Sequence, residues 1–96
     1  MAAYVYGTVK MRDPAWVASY RATVPSLVAR HGGKYLVRGG KMEKLEGTDG
    51  LPDSMVLIEF PSMEQARAFH GDPEYRPFIE LRQKGSDVEL CIVEGI

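Results

Sequence analysis

Two charged residues stand in otherwise apolar runs, Arg38 at the end of Tyr35-Leu36-Val37 and Glu59 between Ile58 and Phe60. Desolvating an unpaired charge is costly, so both must find partners on folding. A guanidinium offers a planar fork to a ligand carboxylate or enolate oxygen, and a carboxylate in the same pocket can take a proton from carbon or orient a hydroxyl. The pattern fits a structural role equally, in which Glu59 pairs with Arg38 or Arg82 and fixes sheet register or helix docking. His70 precedes Gly71-Asp72-Pro73-Glu74-Tyr75, a helix-breaking segment where a pocket mouth can open, and an imidazole there can act as acid or base near neutral pH. His31, beside Gly32, reads as a helix C-terminal cap. Glu59 and His70 are therefore the candidate catalytic residues. Tyr20 and Tyr75 carry hydroxyls that need partners when buried, and they join Arg38 and Arg82 as candidate ligand-binding residues.

Other chemistries lack their residues. Neither histidine has a second ligand at helical metal spacing, so no metal site is expected. Cys91 is the single cysteine, which excludes an internal disulfide and fits a reducing compartment. Gly39-Gly40 lacks the Lys-Ser/Thr context of a phosphate loop, no Gly-x-Gly-x-x-Gly follows a strand, and no serine sits in a nucleophile elbow, so no cofactor is expected. Twelve Lys and Arg against 13 Asp and Glu, a net charge of −1, leave no basic footprint for nucleic acid. No apolar run is long enough for a membrane span and no signal-peptide pattern opens the sequence. The expectation is a cytoplasmic protein.

The elements that must position these residues follow from periodicity. Ala3–Met11 alternates as a strand, with Ala3, Val5, Val9 and Met11 on one side and Tyr4, Tyr6 and Thr8 on the other. Asp13-Pro14 starts a helix on which Val17, Tyr20, Val24, Leu27 and His31 form one stripe up to Gly32-Gly33. Pro25 inside it predicts a kink or a break. Lys34–Arg38 is a strand, and Gly39-Gly40 before Lys41–Glu46 is either a bulge that bends one long strand, the preferred reading, or a two-residue turn between two short ones. Residues 47–53 have loop composition, and Met55–Phe60 reads as a central strand covered on both faces. Ser62 and Gln65 make a capping box for a helix with Ala66 and Phe69 inside. Asp72-Pro73 begins another helical turn whose apolar members Tyr75, Phe78, Ile79 and Leu81 lead to Gly85, and Val88–Val93 is the last strand.

Strand, helix, strand, strand, helix, strand in 96 residues, read as one domain over 1–96, points to an α+β ferredoxin-like βαββαβ sandwich with a four-stranded antiparallel sheet. Two helical segments cover one face only. Tyr4, Tyr6, Tyr35, Val37, Val56 and Ile58 cannot all share a side with Val5, Val9 and Leu57, and a second apolar face of that size calls for a partner. The sequence therefore predicts a homodimer through the sheet faces.

The segments Tyr20-Arg21-Ala22, His31 through Gly40, Glu46-Gly47, Ile58 through Ser62, Pro73-Glu74-Tyr75 and Arg82-Gln83 resemble the domain-of-unknown-function thirteen-thirty family of dimeric alpha–beta barrel proteins. The resemblance spans essentially the whole chain and implies the paired-barrel fold. Matched positions are Tyr20, Gly33, Tyr35, Arg38, Gly39, Glu46, Gly47, Glu59, Phe60, Tyr75 and Arg82. It implies little about activity, since structurally related barrels include cofactor-free monooxygenases, muconolactone-type isomerases and haem-binding enzymes. Where the family has a Trp-Tyr pair this chain has Phe69-His70, which replaces an indole donor and a phenol with an imidazole.

Two functions are compatible with these residues. One is a small-molecule-binding protein, or a cofactor-free enzyme performing proton transfer or isomerisation on a carboxylated or phenolic ligand between helices and sheet. The other is a non-catalytic structural or binding module built on a buried Arg/Glu network.

Overall fold

Alternating side chains pair four strands, and the apolar helical stripes close over one side of them. The computed structural model describes residues 1–96. Its elements are β1 (Ala3–Met11), a 3-10 turn (Pro14–Trp16), α1 (Val17–Arg30), β2 (Lys34–Arg38), β3 (Ser54–Phe60), α2 (Met63–His70), α3 (Arg76–Gly85) and β4 (Ser86–Glu94). The strands form one antiparallel sheet in the order β2-β3-β1-β4. This is the expected ferredoxin-like arrangement.

Register assigns each side chain to a face, because directly opposed residues in a sheet point the same way. The row Tyr35, Ile58, Val5, Ile92 and the next inward row, Arg38, Val56, Gly7, Leu90, face the helices. The intervening row of Val37, Leu57, Tyr6 and Cys91 faces away, as do Lys34, Glu59, Tyr4 and Val93. The buried core joins Val5, Ile58 and Phe60 of the sheet to Val24, Leu27 and Val28 of α1, Ala66 and Phe69 of α2, and Tyr75 and Ile79 at α3.

The inward and outward sets differ from expectation on β2 and β3. Tyr35, Val56 and Ile58 belong with Val5 on the helix side, and Leu57 takes the outer face. The irregularity expected at Gly39-Gly40 lies instead at Leu36, where the register shifts between Tyr35 and Val37. β2 ends at Arg38, and the two glycines adopt positive φ (76° and 94°) as the chain leaves the sheet, a conformation glycine reaches without a Cβ penalty, so Lys41–Glu46 forms no strand, neither a continuation of β2 nor a second short one. Of the kink or break expected at Pro25, the break does not occur: α1 is continuous from Val17 to Arg30. Asp13 caps the 3-10 turn by accepting from the Ala15 amide at 3.0 Å, and Ser62 caps α2 by accepting from the Gln65 amide at 3.2 Å.

The joint between α3 and β4 has no loop. Gly85 is the last helical residue and Ser86 the first of the strand, and the Gly85 carbonyl accepts from the amides of both Arg12 and Asp13 at 2.9 Å. A Cβ on Gly85 would stand 2.4 Å from Trp16 and 2.5 Å from the Asp13 carbonyl, so only glycine permits this approach.

Candidate functional site

Between the sheet and α1 and α3 lies a cavity of about 140 Å³. That is the scale of the roughly 150 Å³ apolar cavities that accept a benzene-sized guest. Its floor is the inward face of β1, β3 and β4, including Gly7, Val56 and Leu90; Tyr20, Val24, Tyr75 and Tyr35 supply the walls. Three charged side chains line it, Arg21, Arg38 and Arg82, and no Asp, Glu or His does. An otherwise apolar cavity with only cations on its walls favours an anion.

Arg82 is 6% exposed. Its stem enters from α3, and its Nη1 donates to the Tyr75 hydroxyl at 2.8 Å and the Tyr20 hydroxyl at 3.1 Å. The two phenol oxygens are 2.5 Å apart, so one hydroxyl donates to the other. Each phenol has one hydrogen and can accept as well. Counting them leaves one phenolic hydrogen with no acceptor among the three side chains. Two buried side-chain atoms lack any hydrogen-bond partner, Arg82 Nε and Trp16 Nε1; both are donors, and both residues line the cavity. The polar side of this site has more donors than acceptors.

Burial pushes the Tyr75 phenol far above its ordinary pKa, with Tyr20 adding to the shift and Arg82 opposing it. Tyr35 is pushed up to about 12, again chiefly by burial. Both are neutral hydroxyl donors at physiological pH. Tyr75 is held in place by stacking on Phe69, with ring centroids 4.6 Å apart, and Phe69 stacks in turn on Phe60 at 5.4 Å. The turn leading into Tyr75 is tied to the end of α1. His31 Nε2 and Asp72 Oδ2 are 2.8 Å apart, Asp72 Oδ1 accepts from the Glu74 amide at 2.9 Å, and Arg30 bonds Glu74 at 2.5 Å. The His31 hydrogen bond, then the Glu74 amide, hold the Asp72 carboxyl below its usual pKa.

Arg38 stands at the cavity's other side, its Cζ 4.9 Å from the centre of the Tyr35 ring. Four of the six predicted site residues, Tyr20, Arg38, Tyr75 and Arg82, thus line one cavity. The two candidate catalytic residues do not. Glu59 lies on the opposite face of the sheet and accepts from the Tyr4 hydroxyl at 3.2 Å. The expected pairing of Glu59 with Arg38 or Arg82 is therefore absent, and with it the buried Arg/Glu network. His70 ends α2 with its ring edge-on to Tyr75 at 6.2 Å, and it lines a separate cleft with Arg67 and Cys91. Desolvation, then Arg82 and Arg76, hold its pKa below the ordinary value. The helical aromatics Trp16, Tyr20, Phe69 and Tyr75, whose spacing points them at the sheet, all line the cavity, whereas sequence reasoning missed Arg21 and Tyr35; nothing in the sequence showed that Tyr35 faces inward. No group of three or more His, Cys, Asp or Glu side chains is placed to hold a metal ion. No helix is long and apolar enough to cross a membrane.

A four-stranded antiparallel sheet with helices on one face and a cavity between the layers defines the ferredoxin-like α+β class. Within it, the chain belongs to the family described as Domain of unknown function (DUF1330), which matches residues 2–96. The chain is similar to the crystal structure of RPA0582, a protein of unknown function from Rhodopseudomonas palustris, with a TM-score of 0.80 and 22% identity over 99% of this chain and 82% of that one. It is also similar to SnoaB, a cofactor-independent oxygenase from Streptomyces nogalater, with a TM-score of 0.65 and 14% identity over 99% of this chain and 93% of that one. A de novo designed protein, Foldit4, shares the fold with a TM-score of 0.64 and 15% identity over the full length of both. No curated protein matches the chain in sequence. Likeness at these identities establishes the fold, and the site has to be read from its own residues.

Proposed function

We propose that this protein binds a small, largely apolar compound, of about one ring, that carries an ionised acid or enol oxygen. The observation that carries the reading is the surplus of donors around Arg82, Tyr20 and Tyr75 in a cavity lined by no carboxylate. A ligand oxygen would accept the spare phenolic hydrogen and neutralise a guanidinium that has no anionic partner of its own. The chemistry such a site supports is stabilisation of negative charge on oxygen, the demand shared by proton-transfer and isomerisation reactions of phenols and carboxylated enols. Glu59 and His70 stand outside the cavity, so a reaction there starts from a substrate already ionised at the bound oxygen. The likeness to a cofactor-independent oxygenase supports the fold and leaves the reaction open.

The proposal extends to self-association. Tyr6 and Val93 on the outer sheet face are 41% and 53% exposed, beside Leu57 and Val37. A second copy of the chain would cover that apolar surface. Native mass spectrometry at micromolar concentration should return a dimer, and a monomer would refute this part.

Ligand binding is read from Trp16, the single tryptophan, which lines the cavity. Titration with benzoate should change its fluorescence saturably, and neutral benzamide should bind about tenfold more weakly, the worth of one charge-assisted hydrogen bond. Equal affinity for the two, or a benzoate response unchanged in Arg82→Met, would overturn the reading.

A further inference from the structure

The inward row Arg38, Val56, Gly7, Leu90 crosses the whole sheet, from edge strand β2 to edge strand β4. Three strand spacings make that width about 14 Å. Arg38 stands at its β2 end. Arg82 comes from α3, which packs on β4 and α1. Two guanidinium groups thus enter one cavity from different sides. Between them the floor is Val56, Gly7 and Leu90, with no polar side chain.

Arg38 reaches the cavity only because of the irregularity at Leu36. In a regular strand Tyr35 and Arg38, three residues apart, would point to opposite faces. The extra residue restores the phase: Tyr35 opposes Ile58 and Arg38 opposes Val56, both inward. Leu36 itself is left 45% exposed. A bulge that leaves an apolar side chain in water and an arginine over an apolar pocket is one of the devices by which sheets re-aim a side chain at a binding site. Arg38 then lies over the Tyr35 ring, an arrangement that holds its planar fork ready for a carboxylate. It forms no ion pair with any carboxylate of the chain.

From this geometry we infer that the ligand is a dianion: a flat, ring-sized apolar body with one acidic group bound by Arg82, Tyr20 and Tyr75 and a second, on the opposite end of the body, bound by Arg38. The inference rests on the proposed anion site at Arg82 and adds a second, separate recognition point. Because the two arginines come from opposite edges of the fold, β2 and the α3 side of β4, an acid at each end of the body, in a para-like arrangement, is the one placed to meet both.

Terephthalate, benzoate and phthalate distinguish the cases through Trp16 fluorescence at fixed ionic strength. Terephthalate should bind about tenfold more tightly than benzoate, the gain of one charge-assisted hydrogen-bonded contact. Phthalate, with the same charge in the ortho arrangement, should gain nothing over benzoate. Arg38→Gln, at an exposed position, should erase the terephthalate advantage, so that terephthalate binds no more tightly than benzoate does to the same variant. Benzoate binding that depends on Arg82 with no added affinity for terephthalate would overturn the dianion inference while leaving the anion site standing. Equal gains for phthalate and terephthalate, or a terephthalate advantage that survives in Arg38→Gln, would also overturn it. Absence of binding by all three would remove the underlying site and the inference with it.

Discussion

Arg82→Met separates a binding cation from a structural one. Arg82 is buried, and it donates to two phenols without meeting a carboxylate. Removing the guanidinium loses two charge-assisted hydrogen bonds, about 1.5–3 kcal/mol each. It also removes the desolvation penalty of a buried charge, several kcal/mol for a guanidinium out of water. Methionine keeps most of the side chain's length and apolar volume, so little cavity term is added. The two contributions nearly cancel, and the expected change in stability is within about 2 kcal/mol in either direction. The phenols remain bonded to each other. Urea unfolding followed by far-UV circular dichroism should therefore show a shifted midpoint with an unchanged slope, while benzoate binding falls at least about tenfold. A fall of about 3–5 kcal/mol, the cost of breaking a satisfied buried ion pair, together with intact benzoate affinity would refute the argument.

Alkaline titration should be selective. Tyr35 and Tyr75 have folded pKa values above the ordinary 10.0, that of Tyr35 about 12, so the unfolded chain loses these protons first. Stability is then fully present below about pH 10 and falls as pH rises from there towards about 12, where Tyr35 ionises in the folded protein. Absorbance at 295 nm should show Tyr35 and Tyr75 ionising late, with Tyr4 also raised by its bond to Glu59, and a single transition near pH 10 for all five tyrosines would contradict it. Ser62→Ala removes the α2 cap and should cost about 1 kcal/mol, a fall in Tm of about 4–8 °C. Gly33→Ala would put a Cβ 2.6 Å from Val28 and 2.7 Å from Phe60; overpacking of this kind costs about 1–3 kcal/mol by thermal unfolding. Asp72→Ala unties the turn before Tyr75 from His31 and should lower both Tm and benzoate affinity, whereas a drop in Tm alone would mean that Tyr75 is positioned by its Phe69 stack.

The fold was legible because each element carried its own periodicity and punctuation. Asp13-Pro14, Ser62 and Gly71 mark helix ends chemically, and alternation in β1 fixes its two faces relative to each other. What alternation cannot fix is which of two faces meets the helices when both carry apolar bulk. Across β2 and β3 the sequence reading grouped Leu57 with Val5 and Val9 and set Tyr35, Val56 and Ile58 against them. Glu59 was misread for a related reason. An acid in an apolar run has to find a partner, but a half-exposed outer face with Tyr4 alongside satisfies that need as well as a pocket does. Its own neighbours held the answer, since Ile58 and Phe60, two residues apart on one strand, are both core residues. Inward on β3 are Val56, Ile58 and Phe60, and Glu59, one residue out of phase, must point away. Arg38 reaches the cavity by a route the sequence did not mark. The irregularity that turns it inward lies at Leu36, where no glycine or proline marks it, and not at Gly39-Gly40. The partners of Arg82 were equally hidden: Tyr20, Tyr75 and Arg82 lie 55 and 7 residues apart in sequence, and only tertiary packing brings their polar ends to one point.

The loopless joint at Gly85 makes the two sides of the cavity mechanically unequal. One carbonyl holds two amides, the Arg12 guanidinium reaches the Gln83 and Lys84 carbonyls, and Ser86 Oγ donates to the Arg82 carbonyl at 2.6 Å. The Arg82 wall has no slack: α3 cannot slide without dragging β4 and the start of α1. Across the cavity, α1 lacks one helical hydrogen bond at Pro25, and β2 is a five-residue edge strand held to β3 alone. Compliance is therefore concentrated on that side. On the proposed reading a guest would enter and leave there, and the residence time of a bound anion would be set by how readily the Pro25 and β2 side yields and not by the grip at Arg82.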